Sequence, residues 1–426
     1  MTEDDRTFID DPVLDRGLSR RELLRNAGLA GAALVVAGPL LSAPSALGRG
    51  ASSHAEADVA GTINQLLKPQ GPKGTGVDFP LGAVLALSGP ASFYGKVMAN
   101  GTDLAVEHIK AAGGPNINVT YKDHKSGNPE AGATATRELG IDGTSAVLAS
   151  YLADFGAMLP GLEQYKMLAL DGGGGTGLAF QNKPYFWGTR ALTPSDPYPG
   201  TYRYAKSRMP GAKRVSFVIW DAGAAFVKSE QQRLKAALPR FGMQLVSTEP
   251  VPVNATDYSS VYARLQKAKP DIIQHAIWGP DPGYFMRGYI NTNMKAQVIG
   301  SEFTPDAAKV AGRAYNRFWF AFDFFDAKKP PNPWAKFFVQ EYRKKYNTDP
   351  VFYAADFYEN TFAFWDLIRR VLAKGGDIKK GPELQDALTA NPTFKSVYGG
   401  TKATVGTLAL DLKTHSTKRR AMGLFK

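Results

Sequence analysis

The chain has 426 residues, of which 44% are hydrophobic, 11% aromatic and 21% charged, a globular balance too long for one core, so two domains are expected. It has no cysteine, which excludes a disulfide framework, a thiolate metal site and a lipid-anchoring Cys; its five histidines (His54, His108, His124, His275, His415) lack metal-ligand spacing, so neither metal nor cofactor is expected. The net charge of +12 is spread along many segments, which reads as a solvated basic surface and argues against nucleic acid as a partner.

In chain order the first element is an address. A polar, acidic start leads to Leu18-Ser19-Arg20-Arg21-Glu22-Leu23-Leu24, a charge-free apolar run extends from Ala27 to Leu41, and small residues follow at Ala46-Leu47-Gly48. This order predicts a signal peptide over 1–48, and the arginine pair ahead of the apolar run resembles the twin-arginine (Tat) export signal. The run is shorter than the roughly 20 residues a membrane span needs. The mature protein is therefore expected to be periplasmic or extracytoplasmic. Residues 49–76, rich in Gly, Ala, Ser and Lys without sustained periodicity, read as a linker.

From Phe79 the pattern becomes strand, helix, strand, helix. Gly82-Ala83-Val84-Leu85-Ala86-Leu87 is a short apolar run stopped by Ser88-Gly89-Pro90, as expected of a buried parallel strand. Val97, Gly101, Leu104, Ala105 and Ile109 follow at helical spacing, and Gly113-Gly114-Pro115 ends that helix. Further strands are expected at 118–122, 146–149 and 167–170. After a Pro/Tyr-rich stretch at 193–199 the alternation restarts, with strands at 214–220, 244–251, 272–277 and 297–300 and helices between. Repeated βα units give a parallel sheet with helices on both faces. The aromatic stripes Trp334, Phe337, Phe338, Tyr342, Tyr346 and Tyr358, Phe362, Trp365 read as packing.

The stretch Ala86-Leu87-Ser88-Gly89-Pro90-Ala91-Ser92-Phe93-Tyr94-Gly95, followed by Asn100-Gly101-Thr102-Asp103-Leu104-Ala105, resembles the start of the branched-chain amino acid-binding family, type I periplasmic binding proteins of ABC transporters. Ala268-Lys269-Pro270-Asp271-Ile272-Ile273, Gly300-Ser301-Glu302 and Ala354-Ala355-Asp356-Phe357-Tyr358 match in order, so the likeness covers about residues 77–415. It implies an α/β fold of two doubly wound parallel-sheet lobes joined by a hinge of three crossings. The lobes are expected over 77–193 plus 319–400, and over 194–318, with 401–426 returning to the second lobe. It also implies a monomer that captures an amino acid, amide or related small polar ligand in an inter-lobe cleft and delivers it to a membrane permease.

The same resemblance supplies the candidate site. The loop after the first strand would offer Ser88 and Tyr94. The loops after the third and fourth strands would offer Tyr151, Asp154, Asp171, Gly173 and Gly174, with glycine N–H groups forming an anion nest. The second lobe would offer Phe226 and Trp278 as walls, and Glu302 as acceptor for a ligand ammonium. Asp154 and Asp171 depart from the family pattern, and two extra carboxylates beside an anion site would repel a standard amino acid; a cationic, amide-like or hydroxylated ligand suits them better.

Rival readings are weaker. Gly172-x-Gly174-x-x-Gly177 matches the dinucleotide fingerprint, but Phe180-Gln181-Asn182-Lys183-Pro184 follows where a helix should open. No nucleophile elbow or metal pair supports an exported enzyme. A ligand sensor for a membrane receptor shares the fold and stays open as an alternative.

Overall fold

The computed structural model describes residues 49–89, 91–150, 155–173, 183–190, 197–221, 223–300, 305–323, 325–418 and 422–425. The chain divides into two compact units, one within Asp196–Phe324 and Met422–Lys426, the other within Gly28–Ser195 and Phe325–Ala421. Residues 1–48, expected from the sequence to be a signal peptide, lie outside the described residues.

The larger unit is built on an eight-stranded sheet. Strands β1 (Asp78–Leu85), β2 (Asn116–Asp123), β3 (Ala146–Ala149), β4 (Leu168–Asp171) and β5 (Phe186–Gly188) run parallel in the order β5-β4-β3-β1-β2. Strand β1 is sandwiched between β2 and β3, with Val84 beside Ala149 and Leu85 beside Asp123. Its Phe79, Leu81, Ala83, Val84 and Leu85 are all fully buried, which is why it reads as a continuous apolar run rather than an alternating one. Helices α1 (Arg49–Leu67), α2 (Ser92–Ala111), α3 (Pro129–Ile141) and α4 (Phe155–Gln164) belong to this unit. Val84, Leu139, Val147, Met158, Leu162 and Phe186 form one of its core clusters.

The smaller unit repeats the plan. Strands β6 (Arg214–Trp220), β7 (Gln244–Val251), β8 (Ile272–Ala276), β9 (Gln297–Gly300) and β10 (Phe318–Asp323) run parallel in the order β10-β9-β8-β6-β7. Helices α5 (Pro197–Arg208), α6 (Ala224–Ala237), α7 (Ser259–Ala268), α8 (Asp281–Tyr289) and α9 (Pro305–Ala311) accompany them. Tyr202, Val215, Phe217, Ile219, Leu234, Ile272 and Ile299 make its core.

The remaining helices, α10 (Pro333–Tyr346), α11 (Phe352–Ala373) and α12 (Gly381–Ala390), return to the larger unit. Trp334, Phe338, Tyr342, Tyr358, Phe362 and Trp365 are buried there, as packing residues. Helix α11 crosses α2 at backbone contact: a Cβ on Gly101 would stand 2.2 Å from the Ala354 carbonyl oxygen, so no larger residue fits.

Three boundaries differ from the sequence reading. Residues 49–67, expected as linker, are helix α1; Ile63 is fully buried, and Lys73 Nζ donates to Asn64 Oδ1 at 2.8 Å. The smaller unit reaches past 318, because β10 pairs in parallel with β9, Phe318 beside Val298 and Phe320 beside Gly300. The segment 401–426, expected in the second lobe, is split. Strands β11 (Thr393–Ser396), β12 (Gly406–Asp411) and β13 (Ser416–Thr417) extend the larger sheet, and only β14 (Met422–Phe425) pairs antiparallel with β10. β13 reaches the larger sheet through one parallel bridge to β5, Ser416 beside Gly188.

Candidate functional site

In an open parallel sheet, ligands bind outside the carboxyl ends of the strands, at the point where strand order reverses. That point lies between β1 and β3 in the larger unit and between β6 and β8 in the smaller.

At the larger unit's edge, Ser88 follows β1 and is exposed, but its hydroxyl donates to Asp123 Oδ2 at the end of β2. Asp123 Oδ1 also accepts the N–H groups of Leu87, Ser88 and Lys125 at 2.7–3.2 Å. Desolvation opposes its charge, but the Ser88 hydroxyl and these backbone donors outweigh it and hold the carboxyl below its usual range. Ser88 thus clamps the loop, and its proton is already committed.

Next to it lies a pair that sequence reasoning did not join. His124 is fully buried, and Gly127 N–H donates to its Nδ1 at 2.9 Å. Burial pushes the imidazole down to about 4, so the ring is neutral at pH 7 and its proton sits on Nε2. That nitrogen lies 2.6 Å from Ser150 Oγ, at the end of β3, and therefore donates to it. Ser150 accepts from the histidine, and its own hydroxyl hydrogen is turned elsewhere, as a donor.

At the end of β4, Asp171 is fully buried and its Oδ1 accepts Gly173 N–H at 2.7 Å. The expected anion nest is thus partly consumed inside the loop: Gly173 N–H serves Asp171. Gly172 is small for packing reasons, since a Cβ there would lie 2.7 Å from Asn360 Nδ2 and 3.1 Å from the Phe357 ring. Arg190, just past β5 and missed by sequence reasoning, is 2% exposed. Its Nη1 donates to the Gly173 carbonyl and, at 2.8 Å, to Tyr353 Oη, while the guanidinium lies over the Phe352 and Tyr353 rings at 5.0 and 4.8 Å. Tyr94, expected to line the site, is only 2% exposed; its ring packs edge-on against Tyr353 at 5.2 Å.

At the smaller unit's edge, Trp278 follows β8 and is half-buried against the core. Trp220, the last residue of β6, meets it edge to face, with ring centroids 5.1 Å apart and planes at 70°. Trp220 Nε1–H donates at 2.7 Å to Oδ2 of Asp281, in the first turn of α8. Phe226 lies in α6, with only its backbone described. Tyr151, Asp154, Gly174 and Glu302 lie outside the described residues.

Sequence reasoning picked Trp278 but missed Trp220 and Asp281. A tryptophan ending a predicted strand was the available signal for the first; the second needed the 61-residue pairing to be seen. A groove of about 440 Å³ beside α3 is a poorer candidate, because it mixes Lys122, Lys125, Glu130 and Glu138, with Lys122 and Glu138 paired at 2.7 Å. Among the described residues no cluster of His, Asp and Glu could hold a metal ion, and no helix is long and apolar enough to cross a membrane.

Comparison with known proteins gives one family. The profile described as periplasmic binding protein matches residues 79–418. Leu/Ile/Val-binding protein homolog 1 of Brucella abortus is 24% identical over 56% of this chain, which spans 64% of that protein's length. Among solved structures, a leucine-binding protein LivK from Thermotoga maritima superposes with a TM-score of 0.68 at 18% identity, covering 81% of this chain and 98% of its own. An R. palustris ABC-transporter solute-binding protein, solved with benzoate, gives 0.66 at 18% identity, covering 82% and 92%.

Proposed function

Because the chain belongs to the periplasmic binding protein family, we propose that it is the extracytoplasmic solute-binding component of an ABC transporter, capturing an amino acid or similar small polar organic ligand. The observation that carries this reading is the pair of switch points. Each sheet brings to its reversal the groups a small ligand needs: Ser150, with a donor hydroxyl fixed by His124, and the Trp220–Trp278 corner.

In this reading the chain is exported through its Arg20-Arg21 signal, acts as a monomer, hands its ligand to a membrane permease and turns nothing over. Tyr151, Asp154, Gly174, Phe226 and Glu302 are its further candidate contacts, with Glu302 as acceptor for a ligand ammonium. The relatives support a broad ligand class: one carries Leu/Ile/Val-binding in its name, and another was solved with benzoate.

The test is a thermal-shift screen of the purified chain against amino acids, amides, amines and small carboxylic acids. A ligand at 100 times its Kd adds about 2.7 kcal/mol to the folded state, and the melting temperature rises accordingly. One responsive chemical class, bound without turnover, is expected. Chemical conversion of the ligand would overturn the reading in favour of an enzyme.

A further inference from the structure

Asp281 is a buried carboxylate. Its side chain is fully buried, and no cationic side chain among the described residues pairs with it. Oδ2 is held by neutral donors, Trp220 Nε1–H at 2.7 Å and Asn254 N–H at 3.0 Å, the Ala255 N–H also favours the ionised carboxyl, and Oδ1 is buried with no hydrogen-bond partner among the described residues. Burial pushes the carboxyl up to about 6, against the pull of these donors, so at pH 7 it remains largely ionised.

A carboxylate that accepts an indole N–H drives electron density into that ring, and in a low-dielectric interior its uncompensated field is weakly screened. The ring it holds is Trp220, which meets Trp278 edge to face, both half-buried, at the ends of the two strands that flank the smaller sheet's switch point. The corner is thus electron-rich, backed by negative charge, and placed where a parallel sheet takes its ligand. Aromatic faces attract cations through their quadrupole, tryptophan most strongly, and the attraction grows when the cation leaves water.

We propose that Trp220, Trp278 and Asp281 form a subsite for an organic cation, a substituted ammonium group on the ligand. The inference rests on the solute-binding reading above and gives that site its chemistry. An aliphatic group would gain only apolar contact from the two rings. A carboxylated ring would meet the repulsion of Asp281.

Choline and its neutral isostere 3,3-dimethylbutanol separate charge from shape. Isothermal titration of the full chain with both, and with leucine and benzoate, should show choline bound at least about tenfold more tightly than the isostere. Asp281→Asn keeps an acceptor for Trp220 but removes the charge, and should lower the choline-to-isostere ratio several-fold. Trp220→Phe should keep part of that ratio and Trp220→Leu should lose it, each variant being checked for native circular dichroism. A ratio near one in the parent chain, or a ratio untouched by Asp281→Asn, overturns the proposal. If leucine or benzoate binds and choline does not, the solute-binding reading stands and the cation subsite falls. If none of the four binds, the cation subsite falls, and the thermal-shift screen above decides the solute-binding reading separately.

Discussion

His275 sits inside β8, 1% exposed, with its ring 4.3 Å from Phe285 and 5.7 Å from Phe318. Neither ring nitrogen has a hydrogen-bond partner among the described residues, and burial pushes the imidazole down to about 3. In the unfolded chain the same group takes a proton near its usual value of about 6.5. Below that pH the unfolded state binds more protons than the folded one, so stability is complete above about 6.5 and is lost as pH falls toward 3. At about 1.4 kcal/mol per pH unit, pH 4.5 lies two units into the window and removes about 2.7 kcal/mol through this one residue. His275→Leu abolishes that loss. It also removes a buried unsatisfied N–H, which costs about 1–3 kcal/mol at any pH. The variant should therefore be more stable than the parent by about 1–3 kcal/mol at pH 8, with the gap widening by about 2.7 kcal/mol at pH 4.5. Urea unfolding followed by tryptophan fluorescence at a series of pH values measures the gap. His108, His124 and Asp281 titrate in both proteins and cancel. A gap that stays constant or narrows on acidification would refute the account of His275 as a neutral, unpaired core group.

Three further outcomes follow from the geometry. Gly101→Val drives a side chain into the Ala354 carbonyl and should lower stability by roughly 2 kcal/mol or more, seen as a drop in melting temperature. His124→Asn can still accept Gly127 N–H but no longer reaches Ser150; if Ser150 serves the ligand as a donor, it and Ser150→Ala should each weaken binding roughly tenfold. The double variant should then be no worse than either alone, as titration calorimetry would show. Arg190→Leu strips the Gly173 carbonyl and Tyr353 hydroxyl of their donor and should cost about 2–4 kcal/mol in urea unfolding, mostly from acceptors left buried.

The parallel strands were legible because burial on both faces writes them as apolar runs such as Leu81–Leu87 and Ala146–Ala149, each closed by a serine. Helix α1 was not, because Ala, Gly and Ser over 49–67 give no amphipathic stripe, and its order comes from a few anchors such as Ile63 and Asn64. Strand β5 is three residues long and β13 two, too short for any period to show. The site followed the same rule. Trp278 was visible as an aromatic at a strand end. The state of Ser88, Asp171 and Gly173 was not, since each is decided by a hydrogen bond that only the folded loops bring together. His124 and Ser150, 26 residues apart, meet across the end of β1 from the strands on either side of it, Trp220 and Asp281, 61 apart, join the ends of neighbouring strands, and no local pattern encodes either pairing.

The bridge that sets Ser416 beside Gly188 has a consequence for biosynthesis. Residues on the two sides of that contact are separated by every strand from β6 to β10, so a ribosome finishes those five before it makes β13. Domains on a nascent chain ordinarily mature from the amino end onward. Here the inserted unit can assemble its parallel strands while the earlier-made unit still waits for α11, which covers α2, and for β11–β13. Until they arrive, the apolar surface of α2 around Gly101 has no lid. A pause or truncation between 325 and 351 should therefore leave the parallel strands of the middle formed, short only of β14, beside a sticky, incomplete beginning, the species that chaperones and proteases would meet first.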